Sequence, residues 1–151
     1  MNNKEPMLAI DWPSWWNGEK SHFLEGIPFI GSQCKIIRHV RCCLKSRTES
    51  LCLKAWTDAG YSFSLSDCVA RKVFDIVTPY ISWPNHYFFP EDRVALLFGV
   101  IPGVGFDAED IVEDIRESFN VKGVSGSDEL YYEIVLQGKF KEFVNLVVKK
   151  M

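Results

Sequence analysis

A chain of 151 residues with 47% hydrophobic and 25% charged residues has the length and balance of one folded domain, which excludes wholesale disorder. No run approaches the roughly 20 apolar residues of a membrane-spanning helix, and Met1 to Met7 carries a lysine and a glutamate where a signal peptide would be apolar. The net charge of −3 conceals an asymmetry: Ser32 to Lys54 holds six bases (Lys35, Arg38, Arg41, Lys45, Arg47, Lys54) against Glu49, whereas Asp107 to Glu133 holds nine acids against Arg116 and Lys122.

Residues 1–33 are rich in Trp, Pro and Gly. Pro13, Gly18, Gly26, Pro28 and Gly31 interrupt any long element, so this stretch reads as an N-terminal segment packed on the body. A short helix near Ser14 to Lys20 and burial of two of Trp12, Trp15 and Trp16 are expected. From Gln33, Ile36, Ile37, Val40 and Leu44 recur at the spacing of one helix face. "SRTE", Ser46 to Glu49, has capping-box spacing and predicts a second helix through Leu51, Ala55 and Trp56 that Gly60 stops. Ser66 is the expected N-cap of a third, with Val69, Val73, Ile76 and Val77 on one stripe and Pro79 ending it.

A short helix from Pro90 through Phe98 follows from the tolerance of Pro at a first helical position. Asp107 to Asn120 predicts the next helix. Beyond it, Leu130, Tyr131, Ile134 and Val135, then Phe140, Phe143, Val144, Val147 and Val148, are helix-spaced. The β-branched content leaves a strand pair turning at Gln137-Gly138 as the alternative. The expected fold is mainly α: a single-domain helical bundle of about five to seven helices over residues 1–151, with or without a short C-terminal β-hairpin.

"FDAEDIVEDIRESFNV" holds the clearest functional signal. Ala108, Ile111, Val112, Ile115 and Phe119 share one helix face, and Glu109, Asp110, Glu113, Asp114 and Glu117 occupy the rest. The dipole at the helix start favours Glu109 and Asp110. The pairs 109/113, 110/114 and 113/117 instead repel at about 0.2–0.5 kcal/mol each, and Arg116 relieves Glu113 only in part. Such a face either keeps an aromatic-rich chain in solution or docks a cationic partner. Asp128, Glu129, Tyr131 and Tyr132 are candidates to extend the contact.

"GFDAEDIVEDIRESFNV" resembles the start of the recognition helix of acyl carrier proteins through Gly105, Asp107, Asp110, Val112, Glu113 and Phe119. The serine that carries that family's prosthetic group falls at Ala108, so this resemblance implies an adaptor module without carrier chemistry. The whole chain resembles the immunity proteins of bacterial contact-dependent growth inhibition: small, cytosolic, motif-poor proteins, often acidic, that cap a cognate toxin. That resemblance implies a toxin partner. Many such toxins are basic nucleases, whose surfaces attract phosphates and therefore carboxylates.

Reaction chemistry has little support in the residues. His39 and Cys42 have ligand-like spacing, but no second pair completes a metal site. Five cysteines without framework spacing, Cys42 and Cys43 adjacent, read as reduced thiols of a cytoplasmic protein, and a spatial Cys–His pair is the remaining enzymatic reading. "GVIPGVGFD" lacks the Lys-Ser/Thr of a phosphate loop. No aromatic is interleaved with the bases of 35–54, which argues against direct nucleic-acid binding. The expectation is a non-enzymatic protein with no cofactor or metal, binding a toxin through Glu109, Asp110, Glu113, Asp114, Glu117, Asp128, Glu129, Tyr131 and Tyr132.

Overall fold

Apolar periodicity and local breakers set each helix. In the computed structural model, which describes residues 8–15, 32–99, 108–120 and 138–149, six helices follow in order. They are α1 (Ser32–Lys45), α2 (Glu49–Asp58), α3 (Phe63–Val77), α4 (Val94–Leu97), α5 (Ala108–Ser118) and α6 (Phe140–Lys149). The described residues contain no strand, only an isolated antiparallel bridge between Arg93 and Lys139. The chain is thus mainly helical, as its periodicity predicts. The expected helix at Ser14 to Lys20 and the stretch Leu130 to Val135 lie largely outside the described residues.

Three helix starts differ from expectation. The N-cap of α2 is Thr48, whose Oγ1 accepts from Leu51 N at 3.3 Å. Ser46 instead closes the preceding helix, donating its hydroxyl to Cys43 O at 2.7 Å. α3 begins one turn before Ser66, at Phe63, whose ring packs against the core; buried Ser66 donates back to Ser62 O at 2.9 Å. The helix expected from Pro90 shrinks to Val94–Leu97. Long-range bonds use the carbonyls that a longer helix would need: Pro90 O accepts from Lys141 N at 2.9 Å and Asp92 O from Phe140 N at 2.8 Å.

The helix ends agree better. Gly60 stops α2 with φ +82°, a left-handed conformation that suits glycine. Pro79 follows Thr78, the last cap of α3. The hairpin alternative is overturned, because 140–149 is helical. Phe140, Phe143, Val144 and Val147 bury a single stripe, which alternation would have split between two faces.

An aromatic chain runs through the core. Phe140 meets Trp56 and Phe88 edge-on at 5.8 and 5.5 Å, and Phe143 meets Phe98 and Phe119 at 5.4 and 5.5 Å. The polar ends of both core indoles are satisfied: Trp56 donates to Phe88 O and Trp83 to Leu97 O, each at 2.8 Å. Of the N-terminal tryptophans, Trp12 packs on the core, Trp15 is half exposed and Trp16 lies outside the described residues.

One buried ion pair ties the segments together. Asp92, wholly buried, accepts from both terminal nitrogens of Arg47 at 2.6 and 2.8 Å and from the backbone N–H groups of Ile10 and Phe89, both at 2.7 Å. Arg47 also donates to Tyr87 O and Leu8 O and lies 3.6 Å over the Phe89 ring. Residues 8–10, the α1–α2 turn and the loop at 87–92 thereby meet at one carboxylate. Among the described residues no helix is long and apolar enough to cross a membrane.

Candidate functional site: the acidic face of α5

Ile111, Val112 and Ile115 turn inward, and α5 packs chiefly on α3. That choice of buried face leaves Asp110, Glu113 and Glu117 exposed. Positions i, i+3 and i+7 fall on one stripe, so these three carboxylates form a ridge along the outside of the helix. Glu113 pairs with Arg116 at 2.9 Å while its side chain stays 55% exposed. Glu117 has no ion pair or side-chain hydrogen bond among the described residues.

Asp114 departs from the expected ridge. It is half-buried, and its Oδ2 accepts from the Tyr80 hydroxyl at 2.7 Å, which makes it a tether between α5 and the end of α3. The C-terminal end of α5 is also anchored. Lys72 lies 4.7 Å over the Phe119 ring and donates to Ser118 O, placing a cation where the helix dipole is negative. Asn120 follows with φ +51°. The anchors use the flanks of the helix and leave the Asp110–Glu113–Glu117 stripe facing solvent.

Glu109 belongs to the first turn of α5, with its side chain outside the described set; Asp128, Glu129, Tyr131 and Tyr132 lie wholly outside it. The structure therefore brings together three of the nine expected contact residues and reassigns Asp114.

The thiols split by burial. Burial pushes the Cys52 thiol up to about 12, so it stays protonated; it donates to Phe88 O at 3.4 Å. Burial likewise raises the Cys43 thiol, which disfavours its thiolate, and its Sγ stands 3.9 Å from His39 Nε2. His86 Nε2 lies 3.1 Å from Asp67 Oδ1, and Arg71 holds the same carboxylate at 2.7 Å. Its ring packs against Phe74 and Tyr87, so this cluster joins the 85–87 loop to α3. Among the described residues no three His, Cys, Asp or Glu side chains gather as a metal site would require.

A second surface was hidden from sequence reasoning. Trp15 lines an open cleft of about 440 Å³ together with Lys35, Arg38, His39 and Cys42 of α1. No aromatic is interleaved with the basic run along the chain, but the fold brings one beside it. The ring is supplied from twenty residues upstream, which interleaving along the chain could not reveal.

Comparison with known protein families, with curated proteins and with solved structures gives no match to this chain.

Proposed function

We propose that this protein is a binding module whose ridge of Asp110, Glu113 and Glu117 docks a positively charged protein, and that it serves as an immunity protein for a basic bacterial toxin of the nuclease class. The observation that carries the reading is the exposure of these carboxylates on one stripe of α5, where Glu113 stays 55% exposed even while paired with Arg116. The two like-charged pairs of this stripe, 110/113 and 113/117, cost the free helix roughly 0.4–1 kcal/mol in repulsion. A cationic surface relieves that repulsion, speeds the encounter through its field and selects the partner by sign. A nuclease surface built to hold phosphates presents the lysines and arginines that such a ridge accepts.

The test is co-production with the toxin domain encoded in an adjoining reading frame. A complex is expected that protects the host and weakens as salt rises. An adjoining frame without a toxin domain, or a complex indifferent to salt, overturns the proposal.

A further inference from the structure

The cleft on α1 carries chemistry that the acidic ridge does not use. Lys35, Arg38, His39 and Cys42 stand at i, i+3, i+4 and i+7, so one stripe of α1 forms its floor, while Ile36, Val40 and Leu44 on the opposite stripe are buried and fix the rotation of the helix. Lys35 and Arg38 are exposed, and neither side chain has an ion pair or hydrogen bond among the described residues. Both stand exposed at the cleft. Arg41, one turn along, is occupied differently, donating to Ser82 O at 3.3 Å. Trp15 supplies the wall, with half of its surface exposed, although a large indole is normally drawn into the core.

An indole face, two cations without a partner among the described residues and an imidazole within about 440 Å³ are the parts that hold a flat heteroaromatic ring and a phosphate together. We propose that this cleft binds a nucleoside phosphate, the base stacked on Trp15 and the phosphate held by Lys35 and Arg38, with the His39 ring nitrogen as a further polar contact. The arginine offers a planar fork that matches two phosphate oxygens, and the lysine adds a point charge. The apolar ring distinguishes this cleft from a plain anion site. An acidic peptide would satisfy the cations and leave the indole face uncovered. The inference stands on α1 and Trp15 alone and does not depend on the α5 ridge.

Isothermal titration calorimetry with adenosine monophosphate, adenosine, inorganic phosphate, a short single-stranded oligonucleotide and a glutamate-rich peptide tests it on the full chain. The monophosphate is expected to bind more tightly than adenosine or phosphate alone. Trp15→Ala should weaken it about tenfold, and Lys35→Gln with Arg38→Gln should weaken it and flatten its salt dependence. All three positions are exposed, so circular dichroism should show these variants folded. Glu113→Lys with Glu117→Lys should leave the affinity unchanged, which separates this site from the ridge. Tighter binding of the oligonucleotide with the same Trp15 dependence assigns the nucleotide to a strand; equal or weaker binding assigns it to the free pool. No heat with any nucleotide, affinity unaltered in Trp15→Ala, or preference for the glutamate-rich peptide overturns the proposal.

Discussion

Asp92 and the carboxylates of α5 are the same chemical group in opposite settings. Asp92 has no solvent exposure and four hydrogen bonds, two from a guanidinium; Glu113 is 55% exposed with one contact inside its own helix. Burying a charge is expensive, so it persists only where every lone pair finds a donor, and Asp92 meets that condition. The α5 ridge stays at the surface, and Glu113 remains 55% exposed even while it pairs with Arg116. Carboxylates of the first kind hold this fold together. Those of the second kind are held at the surface by the fold.

The largest expected effect comes from breaking the buried pair. Asp92→Ala should lose about 3–5 kcal/mol of stability in urea denaturation, because Arg47 is left charged, buried and unmatched. Replacing both partners by apolar residues, Arg47→Met with Asp92→Leu, should restore part of that loss, and a double variant as unstable as the single would show that the backbone bonds of Ile10 and Phe89 matter more than the charge pair. Tyr80→Phe removes the donor to Asp114 and should cost about 1.5 kcal/mol. An unchanged melting curve would return Asp114 to the exposed ridge.

Glu91 lies between the extremes. Hydrogen bonds from Lys139, at 2.6 Å, and then Lys141, at 2.5 Å, hold its carboxyl below the ordinary 4.5 despite some burial. A depressed folded value means that the unfolded chain takes up protons first. The stabilisation is therefore complete above pH 4.5 and fades as pH falls through the lower folded value. Melting temperatures of wild type and Glu91→Gln should differ at neutral pH and converge in acid; a constant difference would remove the ionic contribution. The smallest effect belongs to the ridge. Glu117→Gln should change stability by less than about 0.5 kcal/mol, in the stabilising direction, since it relieves repulsion from Glu113.

Much of the helical architecture was legible because it depends on local rules. Val69, Val73 and Val77 recur on one stripe, Gly60 and Pro79 punctuate, and the α5 face divides cleanly into apolar and acidic halves. What the sequence concealed depends on contacts across the chain. Asp92 looks like a first-turn acid favoured by a helix dipole, and only its distant partners Ile10 and Arg47, 82 and 45 residues away, make it the centre of the fold. The bonds from Lys141 N to Pro90 O and from Phe140 N to Asp92 O, similarly distant in the chain, explain why α4 is short. Asp114 is indistinguishable from Glu113 in sequence and is separated from it by a single tyrosine hydroxyl. Trp15 beside Lys35 and Arg38 is a juxtaposition of the same kind.

The most direct measurement is the affinity of the proposed partner, a basic toxin domain, for the wild type and for Asp110→Lys/Glu113→Lys/Glu117→Lys at low and high salt. Binding should be tight and salt-sensitive for the wild type and severely weakened in the variant, which should melt at nearly the wild-type temperature. Equal affinity in a folded variant would contradict the assignment of the ridge as the docking surface.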